Sequence, residues 1–304
     1  MALVAFDLDN TLGSFDTMGP WSDFFSVETL ENSINRHTLS AALKTRLRKA
    51  EDLLIEKIKA NKDLFELVFR PNLDALIAPL VKAKRSGKVK AICIYSNTTC
   101  TFSMHFAKRI IEERYSCPDF FDCLVDVTHP IRKYDWEHNT EDKRQPLKTF
   151  IGLKKIFKEL CGVTDTISPD RILFVDDRTV KHHLAQEEKD GLTYLQVSGY
   201  VPSISKTLRK KAYFIGLQVL LETQLMDYPA YLSSNIFHTD KEAVIGDTPA
   251  KIEVDGFFSL LGLVEKEIHD PYYPPMTFKD DTTKIRHVMA TFLGMFSKAR
   301  QRKK

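Results

Sequence analysis

The chain is poor in cysteine: five thiols in 304 residues, Cys93, Cys100, Cys117, Cys123 and Cys161, an odd number with no C-x-x-C spacing. Neither a disulfide framework nor a thiolate zinc site is expected from such a set, and a reducing compartment fits it. Long hydrophobic runs are missing too, so no segment supplies the roughly 20 apolar residues of a membrane-spanning helix. The opening MALVAFDLDN carries acidic residues where a secretory leader would be apolar. The expectation is an intracellular, soluble protein, cytoplasmic or nuclear, with no membrane partner. Charge of one sign is not in excess, since 44 Lys and Arg stand against 41 Asp and Glu for a net +3. A dedicated nucleic-acid binder would concentrate basic charge on one surface. The basic ending Lys298, Arg300, Arg302, Lys303, Lys304 reads first as a solvated terminus, and a nucleic-acid partner rests on that ending alone. Internal repeats and polar low-complexity tracts are absent, which argues against a solenoid or a disordered chain.

What is present is the alternation of an α/β protein. Apolar runs at Leu3 to Phe6, Val89 to Tyr95, Cys123 to Val127 and Ile172 to Val175 are short and rich in β-branched or aromatic residues, as strands buried on both faces are. Asn97-Thr98-Thr99 matches a glycosylation sequon but follows one of these runs, and is discounted. A fifth strand, Thr193 to Val197, follows Gly191. Helical spacing separates the strands, with Leu73, Leu76, Ile77, Leu80 and Val81 before the second and Phe150, Leu153, Ile156, Phe157 and Leu160 before the fourth. Strands alternating with helices imply a Rossmann-like, doubly wound parallel sheet covered on both sides.

Two segments interrupt that pattern. Residues 15–70 place Leu39, Leu43, Leu47, Leu54 and Ile58 near helical spacing among many charges, and read as a helical insertion. It is either a small cap over the site or a helical pair docked on the sheet. Residues 201–304 read as a mainly helical appendage to a catalytic domain of residues 1–200. Its helical runs are Ser203 to Leu225, Gly256 to His269 and Thr282 to Ala299, joined through Pro271, Pro274 and Pro275. In the last run Ile285, Val288, Met289, Phe292 and Phe296 form one apolar stripe, of the kind that helices bury within their own chain.

The chemistry gathers at the strand ends. The first strand runs into Asp7-Leu8-Asp9-Asn10-Thr11-Leu12, where ligands of open parallel sheets bind. Two carboxylates so close repel unless a cation or a shared proton relieves them, and magnesium would also bind a phosphate dianion. Strand two ends in Tyr95-Ser96-Asn97, a hydroxyl and an amide for phosphoryl oxygens. Lys148 opens a helix after strand three, and strand four ends in Asp176-Asp177. Each has a plainer reading: a turn for DLDNT, a helix cap for Ser96, a surface lysine for Lys148, with Lys133, Lys143 and Lys154 nearby. The adjacent His182 and His183 read as a solvated helix start, because neighbouring side chains rarely converge on one ion.

In this order the residues resemble the motifs of the haloacid dehalogenase superfamily: DxDxT, a strand-end Ser or Thr, a Lys, and a strand-end acidic pair. The likeness covers residues 1–200. It implies a HAD-like fold and a magnesium-dependent phosphatase. Asp7 would be nucleophile and metal ligand, and Asp9 general acid, then base, and part of the metal site. Thr11 would support the motif loop and, with Ser96, Asn97 and Lys148, the phosphate site. Asp176 and Asp177 would hold the metal. DLDNTL is loosely similar to the branch of polymerase-tail (NLI-interacting-factor-like) and small magnesium-dependent phosphatases. That branch often has an acidic or aromatic residue at the place of Asn10, and polymerase-tail phosphatases commonly have Asp-Asn at that of Asp176-Asp177. The substrate is left open among phosphoprotein, nucleotide and small phosphometabolite, with a nucleic-acid end phosphatase or a non-catalytic interaction protein as alternatives.

Overall fold

A computed structural model describes residues 1–15, 41–98, 100–137, 146–178, 191–202, 205–225 and 278–298. Part of the expected insertion (16–40), His182 and His183, the run Gly256 to His269 and the proline connectors lie outside the described residues.

Five parallel strands form one sheet in the order β3-β2-β1-β4-β5: β1 (Ala2–Phe6), β2 (Val89–Tyr95), β3 (Cys123–Val125), β4 (Ile172–Asp176) and β5 (Thr193–Gln196). β1 lies at the centre, its Phe6 facing Ile94 of β2 on one side and Val175 of β4 on the other. Every residue of β1 is buried, as expected of a run without a polar side chain in a sheet covered on both faces.

Alternate residues divide between two cores. Ala2, Val4 and Phe6 face one side with Ile92, Ile94, Leu173, Val175 and Leu195. Leu3 and Ala5 face the other with Ala91, Cys93, Tyr95 and Phe174. The first face is covered by α1 (Ala41–Ala60), α2 (Lys62–Val68), α3 (Leu73–Arg85), α4 (Thr101–Arg114), α7 (Lys206–Glu222) and α8 (Thr282–Lys298). The short α5 (Lys133–Glu137) precedes α6 (Phe150–Lys155), which runs on as a π-helical turn over Ile156–Leu160. The second face is covered by Leu153, Ile156 and Phe157 of that run. Right-handed crossovers explain this split. The connections β1-β2-β3 step one way across the sheet and leave their helices on one face, whereas the return from β3 to β4 steps the other way. The chain therefore reverses between β1 and β4, and a crevice opens above their carboxyl ends.

In the insertion, Leu43, Leu47, Leu54 and Ile58 are buried along α1, as their spacing implies. They join the first core, and the described part of the insertion packs against α4 and α7. Arg46 Nη1 of α1 donates to Thr223 O at 3.1 Å and to Gln224 Oε1 at 2.7 Å, and Lys57 pairs with Glu222 at 2.7 Å. On the stripe of α8, Ile285, Met289 and Phe292 are buried in that core, with Val288 and Phe296 packed against it. Lys284 Nζ ties α8 to β5 through Gln196 O at 2.7 Å. No helix among the described residues is long and apolar enough to cross a membrane.

Candidate active site

The pairing of β1 with β4 extends one step beyond the strand, because Asp7 N donates to Val175 O at 2.9 Å. That bond brings Asp7 beside Asp176, the last residue of β4. After Asp7 the chain turns sharply: Leu12 N donates to Leu8 O at 2.9 Å, Asn10 N donates to Gly13 O at 2.6 Å, and Asn10 adopts φ 60°. Asparagine tolerates this left-handed region better than most side chains, which accounts for Asn10 in the motif. Leu8 and Leu12 are fully buried and anchor the turn. Gly13 has no alternative, since a Cβ there would lie 2.1 Å from Val68 O.

Four residues from three parts of the sequence converge above β1 and β4. Lys148 Nζ donates to Asp7 Oδ1 at 2.5 Å and to Asp176 Oδ2 at 2.8 Å, with all three residues buried. Asp177 joins them: oxygens of Asp7, Asp176 and Asp177 all lie within 4.8 Å of one another. Thr11 Oγ1 sits between Asp7 Oδ2 at 3.5 Å and Asp177 Oδ1 at 3.4 Å. Asp176 Oδ1 accepts from Arg178 N at 2.8 Å, which fixes its orientation. Asp9 is partly exposed and its carboxylate is outside the triad. Among the described residues Lys148 is the lysine that reaches the cluster, while Lys133 pairs with Glu137 at 3.7 Å on the surface.

Ser96 is buried at the end of β2, its N–H donating to Val125 O at 3.0 Å. Its hydroxyl oxygen accepts from Thr98 N at 3.3 Å, so the turn role and a site role fall on the same atom. Asn97 Nδ2 donates to Pro146 O at 3.2 Å. Its buried Oδ1 has no hydrogen-bond partner among the described residues, an acceptor that a donor from a ligand or water would satisfy.

Behind Ser96 and Lys148 lies a buried polar network that sequence reasoning missed. Asp135 Oδ2 accepts from Arg132 Nε at 3.1 Å and from Tyr95 Oη at 2.5 Å, and its Oδ1 from Thr149 Oγ1 at 2.7 Å. Arg132 also donates to Ser96 O at 2.7 Å and Leu147 O at 3.0 Å, and its guanidinium lies 4.5 Å from the centre of the Tyr95 ring. Both ends of the site are thus tied to one guanidinium and one carboxylate. Thr149 caps α6 through Gly152 N at 2.9 Å. A Cβ at Gly152 would meet Asp135 Oδ1 at 2.6 Å and Tyr95 Oη at 2.8 Å. The only sequence signal is an Arg–Asp spacing of three, which is common on exposed helices.

The electrostatics fit a cation. Burial works against the Lys148 charge, but Asp7 and Asp176 outweigh it and hold its pKa above the usual lysine value. One ammonium against three carboxylates leaves an excess of negative charge. Hard divalent cations such as magnesium take oxygen ligands of this kind, so the donor set suits one. Burial, then the nearby Asp7 and Asp176, push the Asp177 carboxyl from 3.8 up to about 7. Between roughly pH 4 and 7 the folded chain therefore holds a proton that the unfolded chain has released. The stability from this difference is complete below that window and is lost as pH rises through 7. Melting in chelator is expected to show a declining component across the window that Asp177→Asn and added magnesium each remove. Identical pH profiles for parent and variant would contradict it.

No family model matches the chain, and no curated protein is a significant match to it.

Proposed function

We propose that the protein is a magnesium-dependent phosphomonoester hydrolase of the haloacid dehalogenase type, working through an aspartyl phosphate on Asp7. The observation that carries this reading is the contact of Lys148 with both Asp7 and Asp176, across 141 and 28 residues of sequence, with Asp177 beside both carboxylates and Thr11 against Asp7 and Asp177. Ligands bind at this reversal point of a doubly wound sheet, and a carboxylate held at its mouth by a buried ammonium is presented as a nucleophile.

Asp7, Asp176 and Asp177 would hold magnesium, which when bound supplies positive charge to the phosphoryl oxygens. Asp7 attacks phosphorus in line while the bond to the leaving oxygen breaks, and the phosphoryl group passes to the carboxylate. Lys148 offsets the charge that builds on the transferring group. Ser96 and Asn97, at the end of the neighbouring strand, orient it. Asp9 gives its proton to the leaving oxygen and then takes one from the water that cleaves the acyl phosphate, which returns Asp7 to the carboxylate. The substrate class is a phosphoprotein, a nucleotide or a small phosphometabolite.

A panel of phosphomonoesters, phosphopeptides and 3′-phosphorylated oligonucleotides, assayed with magnesium and with excess EDTA, tests the reading. Turnover of at least one class is expected with magnesium, lost in EDTA and inhibited by beryllium trifluoride occupying the phosphoryl position. Full turnover in EDTA, or none of any class with magnesium, would overturn it.

A further inference from the structure

The turn that carries the candidate nucleophile is clamped by a residue near the far end of the described chain. Asp281 immediately precedes α8, yet its carboxylate faces the loops above the sheet. Its Oδ1 accepts from Arg70 Nη2 at 3.0 Å and Asn72 Nδ2 at 2.8 Å, and its Oδ2 accepts from Ser198 N at 2.5 Å. The neighbouring Asp280 accepts from Thr282 N at 2.9 Å at the start of α8.

Two of the three groups that Asp281 binds, Arg70 and Ser198, lead back to the turn. Arg70 is buried, and its Nη1 donates to Thr11 O at 2.9 Å. The hydroxyl of that same threonine lies between Asp7 and Asp177. On the opposite side, Ser198 leads through Gly199 to Tyr200, whose N–H donates to Asn10 O at 3.0 Å. A Cβ on Gly199 would stand 3.3 Å from Asp177 Oδ2, so this segment also lines the acidic cluster. Phe278 closes the junction, edge-on to the Tyr200 ring at 5.6 Å and 5.7 Å from the Arg70 guanidinium.

We infer that Asp281 is a positioning residue for the nucleophile turn: through Arg70 and Ser198 it holds the carbonyls of Thr11 and Asn10 from two sides, and so sets Thr11 against Asp7 and Asp177. Asp281 thereby serves the nucleophile turn without touching the reacting atoms. This inference rests on the phosphatase reading for its kinetic consequence, and on geometry alone for the clamp. Asparagine at 281 removes the charge facing Arg70 and offers one acceptor oxygen where the junction uses two, so one of its donors is left facing an amide NH₂.

The test compares Asp281→Asn with the parent and two controls, Lys57→Ala at the exposed contact of α7 with α1 and Ile285→Val in the buried stripe of α8. Asp281→Asn is expected to lower kcat by about 10²-fold with KM little changed, the scale of a small misplacement of reacting groups. Amide exchange is expected to quicken in residues 8–13 and 198–200 while β1 and β2 stay protected. Ile285→Val is expected to lower Tm with kcat and loop exchange near the parent values, and Lys57→Ala to change neither. Parent-like kcat and loop exchange in Asp281→Asn would overturn the clamp, as would an equal loss of kcat in Ile285→Val. If the parent turns over no phosphomonoester with magnesium, the phosphatase reading falls, and the exchange measurement still decides the clamp.

Discussion

Asp7→Asn is expected to abolish phosphomonoester turnover, by about 10⁴-fold or more, as replacement of a covalent nucleophile does. The substitution keeps the shape of the side chain, and an amide oxygen can still accept from Lys148. Lys148 also retains Asp176 at 2.8 Å, so the buried ammonium is not orphaned. Loss of one charge from a cluster of three carboxylates relieves repulsion, and the melting temperature in chelator is expected to equal or exceed that of the parent. Steady-state assays with magnesium beside melts in EDTA separate the two effects. Retention of most activity would remove Asp7 from the mechanism, and a collapse in Tm would show that its role is structural.

Asp135→Leu is expected to cost about 3–5 kcal/mol of stability, the range for removing one partner of a buried ion pair. Arg132 and Asp135 are both fully buried. Without the carboxylate, Arg132 Nε, Tyr95 Oη and Thr149 Oγ1 all lose an acceptor. The guanidinium keeps Ser96 O and Leu147 O, two neutral acceptors that cannot balance its charge. Replacing both members, Arg132→Met with Asp135→Leu, is expected to recover part of the loss, because no uncompensated charge remains. Activity is expected to stay low in the double variant, since Ser96 and the start of α6 lose their common anchor. Urea unfolding of the two variants and the parent measures this. A loss below about 1 kcal/mol for Asp135→Leu would mean that the pair is not buried as described.

The strands were legible because a sheet covered on both faces demands runs without polar residues, and few other elements tolerate them. The third expected strand was too long: Cys123 to Val127 shortens to Cys123–Val125, because Asp126 turns back on Thr128, accepting from its N–H at 2.7 Å and its hydroxyl at 2.8 Å. Helical stripes at Leu43 to Ile58 and Ile285 to Phe292 were legible for the corresponding reason, a period near 3.6 with one wet face. The meeting of Asp7 with Asp176 and Asp177 was legible because all three stand at strand ends of one parallel sheet, whereas the Asp9 carboxylate lies outside their cluster. Asn10 could be noticed but not explained, since its φ 60° belongs to a turn that its neighbours impose.

The sequence by itself determined the doubly wound sheet and the carboxylates at the ends of its strands, because apolar periodicity and strand-end position are local properties; the central place of β1 came from the tertiary structure. The tertiary structure decided which lysine meets Asp7, which polar residues are buried behind it and how the last helix reaches the turn. Lys133 and Lys148 look alike in sequence; one lies in the open and the other is held between two carboxylates. Arg132 and Asp135 carry no mark of burial in the sequence, and the return from β3 to β4 folds them behind Ser96. Asp281 meets Arg70 across 211 residues. A polar side chain carries no local mark of its partner, and only the path of the backbone brings the two together.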